Sequence, residues 1–149
     1  MNFNEALQQA AAYCSLSEKC EFDVKEKLQK WSVSNTDTEK IIAQLRKNDF
    51  INNARYCTYY TRDKFKFNRW GRVKIGIMLR AKQLPEQEIT NALEQIDEFE
   101  YEETLLTLLQ SKLKALSYKT DYEKRGKLFR FAQSRGFEYD VIDKVVQQL

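Results

Sequence analysis

One apolar spacing occurs three times in this chain of 149 residues, and it constrains the possible folds more than any other feature of the sequence. The copies are Val24, Leu28, Val33, Ile41, Leu45; Ile75, Leu79, Leu84, Ile89, Leu93; and Leu128, Ala132, Phe137, Ile142, Val146. Steps of four residues are typical of one helix face, and the longer middle steps indicate a turn between two helices. Leu28, Leu79 and Ala132 are therefore predicted to be equivalent positions, 51 and 53 residues apart. A repeat of this length predicts units that pack mainly against their neighbours in an array.

A further helical stretch precedes each of these pairs, so the predicted repeating unit contains three helices. Acidic residues begin the last helix of each unit, where the positive end of the helix dipole favours negative charge. These residues are Asp37, Glu39, Glu86, Glu88, Glu138 and Asp140. Thr36 and Glu39 form a candidate capping box, and Pro85 suits the first position of a helix.

The predicted fold is therefore an all-α, elongated array of three tandem three-helix units. The units are predicted to cover residues 1–51, 52–98 and 99–149. The alternative is a single helical globule in which the shared spacing is coincidental. An all-β protein is excluded because four glycines and one proline supply too few turn residues.

The composition argues against catalysis. The chain has no histidine, which is the commonest general base and the commonest metal ligand in proteins. Its three cysteines, Cys14, Cys20 and Cys57, lack the spacing of metal ligands, and we interpret them as reduced thiols that pack like small apolar side chains. The four glycines are scattered and form no phosphate-binding loop. We expect a protein that is not an enzyme and that uses neither a cofactor nor a metal ion.

The sequence also bears on location. No apolar segment approaches the ~20 residues that a membrane-spanning helix requires. The first residues, MNFNEALQQAAAYC, lack the basic and apolar regions of a signal peptide. We therefore expect a soluble cytoplasmic protein that has no membrane partner and exists as a monomer.

Charge is segregated along the chain, although the net charge is only +3. The segment 62–82 contains eight basic residues and one acid, so it carries +7 and leaves −4 for the remainder. The following segment, 85–109, contains eight acids and no base. A face that merely keeps a protein soluble usually mixes both signs, so the basic segment is a candidate binding surface.

Helical periodicity sharpens this hypothesis. On a helix from about residue 53 to residue 66, Arg55, Tyr59, Arg62 and Lys66 form one stripe because they lie at positions i, i+4, i+7 and i+11. Such cations can pair with phosphates or carboxylates, and the tyrosine can add stacking or cation–π contacts. The candidate partner-binding residues are Arg55, Tyr59, Arg62, Lys64, Lys66, Arg69, Arg72, Lys74 and Arg80.

Three segments resemble motifs of one known family. They are DVKEKL at residues 23–28, LRKNDFINNARYCTYYTR at residues 45–62 and GRVKIGIMLRAKQL at residues 71–84. In order and spacing, they resemble the motifs of the RecX family, small regulators of the RecA recombinase that consist of tandem three-helix units. The resemblance covers about residues 6–93 well, and it extends to the last third of the chain by length and pattern.

The resemblance implies a non-enzymatic protein that binds the filament formed by a RecA-type recombinase on single-stranded DNA. It further implies that the protein lies in the filament groove, limits filament growth and lowers the ATPase, strand-exchange and co-protease activities in DNA recombination, repair and the SOS response. Single-stranded DNA itself is a further expected partner. The alternative is a helical-repeat protein that binds nucleic acid directly, with residues 62–82 following a phosphate backbone.

Overall fold

The computed structural model describes all 149 residues, and they form nine α-helices and no strand. The helices are α1 (Phe3–Leu16), α2 (Glu21–Lys30), α3 (Asn35–Lys47), α4 (Asn53–Asn68), α5 (Arg72–Ala81), α6 (Glu86–Glu94), α7 (Glu98–Ala115), α8 (Asp121–Ser134) and α9 (Tyr139–Val146). The backbones of two helices approach each other closely only within the groups α1–α3, α4–α6 and α7–α9. We call these the first, second and third groups. The predicted all-α array is confirmed.

The shape of the molecule is extended. Its accessible surface is 9149 Å² for a mass of 17.8 kDa. A compact monomer of this mass exposes about 8,000 Å². The excess surface is the consequence expected of helical groups that pack mainly against their neighbours along a line.

The buried apolar residues form two separate clusters. Nine of them lie within the first group and its following loop, from Ala6 to Ile51. The other cluster contains 21 residues and runs without a break through the second and third groups, from Tyr56 to Val146. Cys20 is the only residue of the first group that belongs to this larger cluster.

The turn between the last two helices has the same geometry in all three groups. Ser32, Gln83 and Gly136 each adopt a positive φ, and they are 51 and 53 residues apart. The residue that follows each of them donates its N–H to a carbonyl five residues back, on the last turn of the preceding helix. The three bonds are Val33 to Leu28 at 3.0 Å, Leu84 to Leu79 at 3.4 Å and Phe137 to Ala132 at 3.2 Å. This is the Schellman ending of a helix, which explains the irregular step in the repeated spacing.

Two expectations about helix starts are wrong by one or two residues. Ser34, rather than Thr36, caps α3, because its side chain accepts the N–H of Asp37 at 3.2 Å. Pro85 is the cap of α6 with extended backbone, and the first helical residue is Glu86. Both differences arise because a cap needs extended backbone immediately before the first turn, which composition alone does not place.

The third helix of the first group is longer than its counterparts. The helix α3 has 13 residues, whereas α6 has nine and α9 has eight. Counted from the caps, Ile41 therefore corresponds to Ala92 rather than to Ile89 as the spacing suggested. Leu28, Leu79 and Ala132 are fully buried, as their predicted equivalence requires.

Candidate partner-binding surface on α4 and α5

The helix α4 is anchored by its cap and by one buried face. The side chain of Asn52 accepts the N–H of Arg55 at 2.9 Å, which fixes the start of the helix. The residues Tyr56, Cys57, Tyr60, Thr61 and Phe65 are buried. Arg69 ends the helix in the left-handed conformation, with its N–H donated to the carbonyl of Phe65. On the opposite side of α4, Tyr59, Arg62 and Lys66 are exposed to solvent.

The predicted stripe lines one open groove beside α4. This groove has a volume of about 660 Å³ and contains Arg55, Tyr59, Arg62 and Lys66, together with Phe67. Tyr59 is 45% exposed and Phe67 is 73% exposed, so both rings are accessible. The acidic residues Glu18 and Asp63 also line the groove.

Arg62 and Lys66 are the free cations of the groove. Both side chains are exposed, and neither forms an ion pair within the molecule. The ammonium of Lys66 lies 5.7 Å from the ring centre of Phe67. Two cations beside two accessible aromatic rings can bind a phosphate or carboxylate and contact a flat apolar group.

Arg55 differs from the rest of the stripe because its guanidinium already has partners. Its Nε donates to Glu18 at 2.6 Å, and its Nη1 donates to Asp49 at 3.0 Å. Burial acts to lower the pKa of Arg55, but the hydrogen bonds to these carboxylates outweigh it and raise the pKa. A hydrogen bond from Asn52, followed by the charge of Arg55, lowers the pKa of Asp49. Arg55 therefore ties the first group to α4 and is a structural residue.

Lys64 lies on the opposite side of α4 from the stripe, because nine residues at about 100° each separate it from Arg55 by half a turn. Its ammonium lies 5.3 Å from the ring centre of Trp70, and the ammonium of Lys74 lies 4.5 Å from the same ring. Arg69 is exposed beside them. The structure thus divides the predicted cations into the α4 groove and a second cluster around Trp70.

The remaining two cations are neutralised by the acidic segment. Arg72 is only 19% exposed and pairs with Glu98 at 2.7 Å and with Glu138 at 3.0 Å. Its guanidinium also lies 4.0 Å from the ring centre of Tyr101, whose hydroxyl donates to Glu138. A separate pair joins Arg80 to Glu86 at 2.7 Å. Arg72 is therefore a structural residue rather than an exposed binding group.

Two features of the surface were not predicted from the sequence. The aromatic side chains Phe67 and Trp70 were not singled out, although both are interleaved with the basic residues that were. The segment 112–135 was also missed, although it contains eight basic residues and two acids, which gives a net charge of +6. A charge count in successive windows reveals this second basic segment.

The thiols occupy buried positions. Burial raises the pKa of Cys20 and of Cys57 to about 11, so neither thiol is ionised near neutral pH.

No group of three or more cysteine and carboxylate side chains is arranged to hold a metal ion. None of the nine helices combines the length and the apolar character that crossing a lipid bilayer requires.

Family models match two parts of the chain. The model of the second three-helix domain of RecX matches residues 52–93, and the model of the third three-helix domain of RecX matches residues 100–146. The regulatory protein RecX of Clostridium botulinum (strain Eklund 17B / Type B) is 32% identical over 132 residues, which are 87% of this chain and 61% of that protein. The regulatory protein RecX of Clostridium perfringens (strain 13 / Type A) is 28% identical over 133 residues. The chain spans about 61–62% of the length of these relatives.

Two solved structures share the fold. The crystal structure of RecX from Lactobacillus salivarius superposes with a TM-score of 0.89 at 24% identity, over 99% of this chain and 96% of that one. A second crystal structure, of a regulatory protein RecX, also gives a TM-score of 0.89 at 21% identity, over 97% of this chain and 71% of that one. At these identities the agreement concerns the fold.

Proposed function

The chain belongs to the RecX family of regulatory proteins, and on this premise we propose that it binds the filament of a RecA-type recombinase on single-stranded DNA. Binding modulates, and mostly inhibits, the ATPase, strand-exchange and co-protease activities of that filament in DNA recombination, repair and the SOS response. The protein acts as a cytoplasmic monomer without catalytic activity of its own. Its three units, residues 1–51, 52–98 and 99–149, contact successive parts of the filament.

The α4 groove is the observation that supports this proposal most directly. Arg62 and Lys66 are exposed and unpaired, and they lie beside the accessible rings of Tyr59 and Phe67. A filament of protein and DNA offers acidic side chains and phosphates, which such cations attract over a Debye length of about 10 Å at 0.1 M salt. The extended shape adds reach, because an array can contact more than one subunit of a filament.

The remaining predicted residues take different parts in this proposal. Lys64, Arg69 and Lys74 form the cluster around Trp70 and extend the basic surface onto α5. Arg55 and Arg72 hold the groups of helices together through their carboxylate partners. Arg80 is exposed but paired with Glu86, so its contribution to binding is smaller.

The test measures ATP hydrolysis by the recombinase on single-stranded DNA at increasing concentrations of this protein. Reversing the two free cations, Arg62→Glu with Lys66→Glu, is expected to raise the concentration needed for half-inhibition at least tenfold. The melting temperature is expected to stay nearly constant because exposed unpaired charges contribute little to folding. Arg55 is left unchanged, since its reversal would repel Glu18 and disturb the fold.

The matched control reverses two cations of the first group, Lys25→Glu with Lys30→Glu. These residues lie on α2, whose own acids already offset their charge, and this variant is expected to inhibit as the wild type does. Equal inhibition by the Arg62 and Lys66 variant would show that the α4 groove is not the contact surface. A wild-type protein without effect on the ATPase would refute the proposed function.

A further inference from the structure

The second basic segment, residues 112–135, belongs to the third unit, but none of its residues has a specific role in the function proposed above. It covers the end of α7, the following loop and α8, and its net charge is +6. The segment 62–82 has a similar charge, but two of its cations, Arg72 and Arg80, form ion pairs with residues of the acidic segment 85–109.

One face of α8 combines aromatic and basic side chains. Tyr122, Gly126 and Phe129 lie at positions i, i+4 and i+7, so they share that face. The side chains of Arg125 and Arg130 flank it on either side. Together these residues line an open groove of about 780 Å³.

A second tyrosine, from α9, completes the groove. The ring of Tyr139 packs against that of Phe129, with 5.1 Å between the ring centres and a tilt of 43°. Tyr139 is nevertheless 67% exposed, and Tyr122 is 89% exposed. Two large rings thus stand open to solvent at positions where burial in the core does not account for them.

The cations of the groove are available to an anionic ligand. Arg130 forms no ion pair, and Arg125 has only a distant one, 3.8 Å from Asp143. The acid inside the groove, Glu123, is already engaged because Lys127 lies 3.1 Å from it. That hydrogen bond is the main reason why the pKa of Glu123 is below its usual range. The local charge therefore favours a ligand with several negative charges.

Gly126 is the least expected residue of the groove. A glycine within a helix is destabilising relative to alanine, because the unfolded chain has more freedom to lose. A Cβ at Gly126 would meet only the end of the flexible Arg130 side chain, 3.4 Å away. Packing within this molecule therefore gives no reason for a glycine here. A ligand that approaches the helix backbone between Tyr122 and Phe129 does give one.

We propose that this α8 groove binds single-stranded nucleic acid, with bases stacked on Tyr122 and Tyr139 and phosphates paired with Arg125 and Arg130. Accessible rings interleaved with cations are the combination that single strands use, because every base has a face for stacking and every linkage carries a charge. A duplex hides its base faces, and an acidic peptide has few flat groups to place on two tyrosines. The site is separate from the α4 groove and acts without a recombinase.

The first test measures binding of a fluorescent oligothymidylate of 20 nucleotides to the full chain at several salt concentrations. Each single-strand phosphate contact contributes about 0.7 to the slope of log affinity against log salt. The double variant Arg125→Gln and Arg130→Gln is therefore expected to reduce that slope by about 1.4. The matched double variant Lys25→Gln and Lys30→Gln, on α2 and outside both grooves, is expected to leave it unchanged. An unchanged slope for the α8 variant would overturn the proposal, as would a wild-type protein that does not bind the oligonucleotide.

The second test separates stacking from charge. Tyr122→Leu with Tyr139→Leu keeps every charge and is expected to weaken binding about tenfold or more. Phe99→Leu, which removes an exposed ring outside both grooves, is expected to leave binding unchanged. Equal affinity for a duplex of the same length, or equal displacement by polyglutamate, would overturn the assignment to single strands.

Gly126→Leu provides a readout that a purely structural role cannot produce. The substitution fills the space between Tyr122 and Phe129, so binding is expected to fall at least fivefold. The melting temperature is expected to stay the same or to rise, because leucine is a better helix former than glycine. Wild-type affinity in a folded Gly126→Leu protein would show that no ligand approaches this part of the helix.

Discussion

Cys20 caps α2, and Gly71 caps the equivalent helix α5, 51 residues further along the chain. Each of them lies where two groups of helices meet, and the two contacts are built differently. We call the contact between the first and second groups the first junction, and that between the second and third groups the second junction. At the second junction the N–H of Gly71 donates to the carbonyl of Arg135 at 2.8 Å, and the N–H of Val73 donates to that of Gly136 at 2.9 Å. No backbone hydrogen bond crosses the first junction.

Close approach of the backbone explains the second junction. A Cβ on Gly71 would lie closer than 3.0 Å to the carbonyl oxygen of Gly136, so only glycine allows the two segments to touch. The continuous core of 21 residues lies beneath this contact. Arg72 and its partners Glu98 and Glu138 cover one side of it.

Side chains hold the first junction instead. The ammonium of Lys82 donates to Asp23 at 2.8 Å and to the hydroxyl of Tyr56 at 3.1 Å. Burial acts to lower the pKa of Lys82, but these two hydrogen bonds outweigh it and raise the pKa. Arg55, which pairs with Glu18 and with Asp49, provides further polar connections. Copies of one repeated fold are thus joined in two ways, by a shared core at the second junction and by polar contacts at the first. We therefore expect the first group to respond separately to perturbation.

The largest expected effect comes from truncating the equivalent core leucines. Leu28→Ala and Leu79→Ala should each cost about 2–5 kcal/mol in the free energy of unfolding. Because Leu28 lies in the separate core of nine residues, its loss should unfold the first group at lower urea and leave the rest folded. Trp31 reports on the first group and Trp70 on the second, so fluorescence of Trp31→Phe and Trp70→Phe backgrounds separates the two transitions. One coincident transition in both variants would refute the independence of the first group.

The next effect distinguishes the two capping residues. Gly71→Ala should cost about 3 kcal/mol because its Cβ forces the backbones of the second junction apart. Cys20→Ala, at the equivalent position, removes only a buried sulfur and should cost about 1 kcal/mol. Urea unfolding followed at Trp70 measures both values. Equal losses would show that close backbone approach is not what distinguishes the second junction.

A smaller effect concerns the polar contacts of the first junction. Lys82→Met should cost about 1 kcal/mol, because it leaves Asp23 half-buried without its partner. It should also expose Cys20 to a thiol reagent sooner than Cys57. Burial raises the pKa of both thiols to about 11, so each is labelled mainly when local opening exposes it to water.

The same ratio has an expected dependence on pH. The folded pKa of Lys82 is raised, so its contribution is complete below the unfolded value of about 10.4 and is lost as the pH rises beyond it. The ratio of Cys20 to Cys57 labelling should therefore be constant up to about pH 10 and increase above it in the wild type. It should be higher and independent of pH in Lys82→Met. A constant ratio in the wild type would contradict the role given to Lys82.

The smallest effect is a gain. Gln83 adopts a positive φ at the turn between α5 and α6, where glycine has no steric penalty. Gln83→Gly should therefore stabilise the protein by about 0.5–1 kcal/mol, and Ser32→Gly by a similar amount. The reverse change Gly136→Ser should be destabilising, because its Cβ would also collide with the backbone and Cβ of Lys74 at the second junction. Thermal unfolding measures all three, and a loss at Gln83 would contradict the shared turn geometry.

The helices, their grouping into repeated patterns and the equivalence of Leu28 and Leu79 could all be predicted from the sequence. These features depend on periodicity and turn geometry, which act between residues that are close in the chain. It also placed Tyr59, Arg62 and Lys66 on one face of α4, because that face follows from helical spacing alone. Cap positions were less accurate, as Ser34 and Pro85 show, since a cap depends on the backbone just outside the helix.

Only the tertiary structure decided which charges remain free. Arg72 and Arg80 belong to the segment 62–82, which carries a charge of +7. Arg72 is nevertheless neutralised by Glu98, 26 residues further along the chain, and Arg80 by Glu86, six residues further along. The tertiary structure likewise brought Tyr139 of α9 beside α8, which created a groove in a part of the chain where the sequence had suggested no site. Electrostatic pairing depends on distance in space and on burial, and the order of residues fixes neither of these until the groups of helices have packed together.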